Sequence, residues 1–295
     1  MNNKRKVNPD NLMRYPLYIL TYLINCLKYR KKKVKLSFLE VWVGQRCTLK
    51  CRDCMHMIPY VKSQVYDIND LIHDCRKIFS ICEVDFLSIL GGEPFTNKEL
   101  YRFLKFVASC DNIKDGKLIT NGTIIPDERT LNAIKNLNNK LDVRLDQYPG
   151  TDERVSHFYK IMQDNGIRCT LMRHSVWEEM RWKWVSCPTQ QMIPSRASKK
   201  LYSECALKAC YTMANGEFTV CPRGITTESV FGMKKNIFEN VPVHRLKNNL
   251  FSRAWIATSI SSNFYKDYCR YCLGLAVSNP FSIDPGIQLS DSERK

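Results

Sequence analysis

The 295-residue sequence has no apolar run long enough to cross a bilayer: its best candidate, Tyr15 through Leu27, is short and interrupted by a proline. It is long for a disulfide-dense secreted fold and shows no cleavable secretory signal ending in a small-residue cleavage site, so reduced thiols and a cytoplasmic setting are expected. Acidic residues are few beside basic ones, 29 against 45, which leaves a net charge of +16. That charge accompanies no recognisable nucleic-acid motif, and no nucleic-acid partner is expected. A basic nucleic-acid-binding protein with structural metal sites stays as the reading from another class. No cysteine follows Cys272, and residues 1–35 are short for an appended peptide-recognition domain.

Cysteine itself is abundant, at fourteen residues. Cys26, Cys75, Cys82, Cys110 and Cys169 sit among apolar residues and read as small core hydrophobes. Cys47, Cys51 and Cys54 differ: they form a C-x3-C-x2-C run just after an apolar, strand-like segment. Zinc sites more often use paired C-x2-C motifs. Three thiolates suit a four-iron cluster with one iron left open to a small molecule. Further on, a strand-like run ends in Gly91-Gly92-Glu93-Pro94. Two glycines at a strand end permit close backbone approach to a ligand, and a carboxylate there can accept hydrogen bonds from an ammonium group.

With these two motifs the sequence resembles the radical S-adenosylmethionine (radical SAM) superfamily. The resemblance implies a [4Fe-4S] cluster on Cys47, Cys51 and Cys54, whose open iron is chelated by SAM. It implies reductive cleavage to a 5'-deoxyadenosyl radical, fed by a flavodoxin- or ferredoxin-type donor, and Gly91, Gly92, Glu93 and Pro94 meeting the SAM amino group. One position departs from the family's habit: the residue before the third cysteine is often aromatic and covers the adenine, but here it is Asp53.

Strands are expected at Leu36 to Val43, Val84 to Leu90, Lys117 to Thr120, Leu141 to Asp146 and Ile167 to Met172. Helices are expected between them: one carries Ile68, Leu71, Cys75, Ile78 and Cys82 on one face, one opens with a capping box at Thr96-Asn97-Lys98-Glu99, and two lie near 127–137 and 153–163. Alternating strands and helices imply a parallel α/β sheet, which the resemblance sharpens to a partial (β/α)6 TIM-like barrel over residues 36–184. Such barrels place chemistry at the carboxyl ends of strands. That rule adds Thr120 and Asn121 as cofactor-binding candidates. Arg144 and Asp146, two apart on one strand, become catalytic candidates, their alternative being a buried ion pair. His174 is a weaker candidate.

Residues 1–35 form a basic segment: Lys4-Arg5-Lys6, Arg30-Lys31-Lys32-Lys33 and Lys35 flank the apolar run. It is read foremost as a helix capping the barrel bottom with its lysines in water. Peripheral contact with an anionic membrane and a phosphate-binding site are the alternatives.

Residues 185–295 change character. Asn215-Gly216 signals a two-residue hairpin, with Cys205 and Cys221 around it and Cys269-x2-Cys272 beyond. This region resembles the auxiliary-cluster extension called SPASM, and more closely its shorter variant, twitch. The resemblance implies a second [4Fe-4S] cluster on Cys205, Cys221, Cys269 and Cys272, with Cys210 competing for the place of Cys205. A structural zinc ribbon is the other reading. Four ligands would close this cluster's coordination, which suits electron transfer. The substrate is expected to be a small polar, hydroxylated molecule of sugar or cyclitol type. Peptide or protein modification is the runner-up.

Overall fold

The computed structural model describes residues 9–137, 140–173, 184–185, 193–275 and 282–290. The chain opens with helix α1 (Pro9–Lys28) and runs through β1 (Val34–Leu36), β2 (Leu39–Trp42), α2 (Ile68–Ile81), β3 (Cys82–Val84), β4 (Leu87–Leu90), α3 (Leu100–Ala108), β5 (Gly116–Thr120), α4 (Glu128–Lys135), β6 (Leu141–Asp146), α5 (Asp152–Asp164) and β7 (Cys169–Met172). The last third supplies β8 (Trp184–Val185), α6 (Ser195–Glu204), β9 (Tyr211–Ala214), β10 (Glu217–Thr219), α7 (Arg223–Phe231), β11 (Val241–Pro242), α8 (Leu250–Ser259) and β12 (Ser282–Ile283).

Eight strands form the main sheet in the order β11-β10-β9-β2-β4-β5-β6-β7, and β9, β2, β4, β5, β6 and β7 run parallel. Helices α2 to α5 follow their strands as the apolar periodicity predicts, each burying one stripe: Leu71, Cys75 and Ile78 on α2, and Leu100, Phe103 and Leu104 on α3. Asp67 caps α2 and Asp127 caps α4, each carboxylate accepting from backbone N–H groups of the first turn.

Two expectations need correction. Leu36 to Val43 is two strands, because the chain steps out of the ladder at Ser37-Phe38, where Phe38 stacks on Phe86 at 5.4 Å; β1 then pairs with β3 in a small sheet of its own. Thr96 opens no capping box. Its hydroxyl donates to the Glu93 carbonyl at 2.7 Å within a short 3-10 turn, Pro94–Thr96, and α3 begins only at Leu100. Helix α1 lies along α8 of the C-terminal third, tied by Asn25 Nδ2 donating to Thr258 Oγ1 at 3.1 Å.

The hairpin forms at Asn215-Gly216, with φ of 50° and 76°. Both residues are left-handed, as the turn that matches strand twist requires. The hairpin adds to the barrel sheet itself: β9 pairs in parallel with β2, Glu40 opposite Thr212. His174 lies outside the described residues.

Candidate active site

Beyond β2 the chain turns into the loop that carries Cys47, Cys51 and Cys54. This loop is held against the end of β4 by backbone bonds, Gly92 N to Gly44 O at 3.1 Å and Glu93 N to Arg46 O at 2.8 Å. The two glycines make that contact possible. A Cβ on Gly91 would lie 2.3 Å from Gly44 O, and one on Gly92 would lie 2.3 Å from Arg46 O and 3.0 Å from Cys47 Cβ. The Gly-Gly step therefore seats the cysteine loop as well as leaving backbone open to the cavity.

A cavity of about 490 Å³ opens at the strand ends, with Cys47, Cys51 and Cys54 on its wall together with Gly91, Gly92 and Asn121. Burial pushes the Cys47 and Cys51 thiols up to about 12. Burial acts on Cys54 too, but the hydrogen bond and charge of His56 and nearby backbone N–H groups outweigh it and bring its thiol below the usual value. Asn121 Nδ2 reaches Cys47 Sγ at 3.6 Å, and Gln288 Nε2 reaches Cys51 Sγ at 3.2 Å.

Glu93 is fully buried and is not part of the cavity wall. Its carboxylate accepts from Thr120 Oγ1 at 2.8 Å, Asn121 N at 2.8 Å and Phe95 N at 3.2 Å. Burial raises its pKa to about 7 against the pull of those donors. It locks the end of β4 to the end of β5, and Pro94 opens the turn beside it. Asp53 is also buried, bonded to Arg52 at 3.2 Å, and lies outside the wall; the rings that do line the cavity are Phe38, His56, Tyr148 and Trp184.

Also lining the cavity, Arg144 holds Asp146 through two bonds, Nε to Oδ1 at 2.7 Å and a terminal nitrogen to Oδ2 at 3.2 Å. Burial raises the Asp146 carboxyl while the Arg144 guanidinium opposes it. The pair lines the cavity and is also the ion pair that the strand pattern offered as its alternative reading.

Sequence reasoning missed the floor of this cavity. Glu40 accepts from Trp42 Nε1 at 2.5 Å, lies 3.2 Å from His56 Nε2, and receives the Cys210 thiol at 3.7 Å. Burial lowers His56, but the Glu40 charge and the bonds to Cys54 and Glu40 win and raise it to about 10. Ser88, opposite Glu40 in the sheet, keeps a fully buried Oγ without a hydrogen-bond partner on the same wall. A lone carboxylate inside Leu39-Glu40-Val41-Trp42 was the available signal. For Gln288 there was none.

A second, smaller cavity is lined by Cys205, Cys221, Cys269 and Cys272, with Arg223 buried beside them. Cys210 is not among them; it lines the first cavity. Burial raises the Cys205, Cys221 and Cys269 thiols, and each feels the charge of another cysteine in the set. Among the described residues no three His, Cys, Asp or Glu side chains converge on the geometry of a single metal ion.

No protein-family model matches the chain. The GTP 3',8-cyclase of Alkaliphilus oremlandii is 27% identical over 94 residues, 31% of this chain and 29% of that protein. That of Geobacter sulfurreducens is 30% identical over 96 residues, 32% of this chain and 29% of that protein. The chain thus spans about a third of the length of these curated relatives. The crystal structure of BtrN in complex with AdoMet and 2-DOIA shares the fold at a TM-score of 0.53, with 14% identity over 85% of this chain and 98% of that one. The chain thus shares the fold of this structure and, over about a third of its length, is similar in sequence to the cyclases.

Proposed function

We propose that the chain binds a [4Fe-4S] cluster and SAM in the larger cavity and removes hydrogen from a small, hydroxylated substrate held at the same place. The observation that carries this reading is a single cavity lined both by three thiols and by the Arg144–Asp146 pair. Its volume of about 490 Å³ lies within the range of small-molecule sites. Cys47, Cys51 and Cys54 would hold the first cluster, and Cys205, Cys221, Cys269 and Cys272 a second. When bound, the first cluster with SAM supplies a hydrogen-abstracting radical, and the second supplies a one-electron sink.

The chain's own residues do the rest. Gly91, Gly92 and Asn121 offer polar backbone and amide groups beside the thiols, while Glu93 fixes the two strand ends that carry them. Asp146, oriented by Arg144, is the group to take the proton of a substrate hydroxyl, and its raised pKa brings it toward the range where a base works well. A flavodoxin- or ferredoxin-type protein would serve as electron donor.

The test is anaerobic incubation of the iron-reconstituted protein with SAM, a reductant and a panel of sugars and cyclitols, followed by mass spectrometry. Formation of 5'-deoxyadenosine with a product two hydrogens lighter supports the reading. Absence of deoxyadenosine throughout would overturn it. A product of unchanged mass carrying solvent deuterium would instead mean epimerisation and remove the electron-sink role.

A further inference from the structure

Helix α1 is amphipathic the wrong way round for a surface helix. Its polar side chains face the protein: Arg14 pairs with Glu239 at 3.3 Å and with Asp267, Tyr18 donates to Glu239 at 2.7 Å, and Asn25 donates to Thr258 at 3.1 Å. Its solvent side is aliphatic. Leu17, Ile19, Leu20, Leu23, Ile24 and Leu27 are each half-exposed or more, Leu27 to 81%. At about 100° per residue these six occupy one continuous arc opposite Arg14, Tyr18 and Asn25, over a length of roughly 15 Å. The buried ion pairs fix this orientation, so the helix cannot roll its leucines inward.

Cations stand at one end of the arc. Lys28, Arg30, Lys31 and Lys32 follow it, whereas Lys33 donates to Phe79 O at 2.8 Å and Lys35 pairs with Asp85 at 3.2 Å; no Asp or Glu occurs anywhere between Asp10 and Glu40. Lys28 and Lys32 flank the Tyr29 ring. Among the described residues no helix is long and apolar enough to cross a membrane.

We propose that α1 is an interfacial anchor that seats this protein on an anionic lipid bilayer. The aliphatic arc enters the headgroup boundary with the helix axis in the membrane plane, and the cations after Leu27 meet lipid phosphates. A bilayer satisfies both halves of the feature. A second copy of the same face would bring a stretch without a single carboxylate against an equally basic one.

Flotation of the full chain with vesicles decides the matter. The protein should float with 3:1 phosphatidylcholine:phosphatidylglycerol vesicles, bind phosphatidylcholine alone at least tenfold more weakly, and lose binding to the mixed vesicles as salt is raised. Joint replacement Leu20→Gln, Leu23→Gln and Ile24→Gln should abolish flotation, while the melting temperature stays within a few degrees because these side chains are exposed. Arg30→Gln with Lys31→Gln and Lys32→Gln should weaken binding to the mixed vesicles tenfold or more and leave the phosphatidylcholine value unchanged. Wild-type protein remaining in the lipid-free fraction overturns the proposal. So does a solution dimer that the leucine variant dissociates, which would assign the face to a second copy.

Discussion

Gly92 has no space for a methyl group. Its missing Cβ would sit 2.3 Å from Arg46 O in the cysteine loop. Gly92→Ala should destabilise the chain by about 1–3 kcal/mol, as overpacking does, and lower iron retention together with the melting temperature. Glu93 gives a pH signature. Its carboxyl holds a proton more tightly folded than unfolded, so its contribution is full below about pH 4.5 and is lost as pH rises toward about 7. In protein without SAM the loss should reach at most about 3 kcal/mol, and Glu93→Gln should flatten that part of the stability profile relative to wild type. Asp146→Asn should reduce product formation more than SAM cleavage, since the amide can fill the place but cannot take a proton. At this scale the sequence was partly legible. Gly-Gly-Glu marked the right strand end, but nothing in a linear motif told that the carboxylate faces Thr120 and Asn121 instead of the cavity.

Helices α2 to α5 and strands β5 and β6 follow from periodicity because each buries one regular face, whereas β4 is buried throughout and reads only as a short apolar run. The break at Ser37-Phe38 does not, since both sides of it are equally apolar. The pairing of residues 286–289 with the cysteine loop was invisible as well: Arg52 N donates to Ile287 O at 2.8 Å and Leu289 N to Lys50 O at 2.8 Å, across more than two hundred residues of chain. A single bridge has no repeat to read. Gln288→Ala should therefore leave the fold intact yet speed iron loss to a chelator, because Cys51 loses its amide donor. At the hairpin, Cys205→Ala should remove the second cluster while Cys210→Ala retains it, as iron content and electron paramagnetic resonance would report. The reverse pattern would reassign the ligand.

Taken whole, the protein should hold about eight irons after anaerobic reconstitution. Joint replacement of Cys47, Cys51 and Cys54 by Ala should halve the iron and stop all SAM cleavage. Glu239→Gln should loosen α1 from the body at a cost of about 1–3 kcal/mol, since Asp267 still pairs with Arg14, with faster hydrogen exchange in residues 14–28 as the readout. The division into residues 36–184 and 185–295 follows motif boundaries, whereas hydrogen bonding runs across it, from β2 into β9. That ladder has a consequence for how the protein can be cut. A fragment ending before β9 would expose a row of unsatisfied backbone groups along β2, flanked by Val41 and Trp42, and would recruit strands from its neighbours into aggregates. The C-terminal third is thus no cassette that could be traded between relatives; it is the guard on the barrel's first strand.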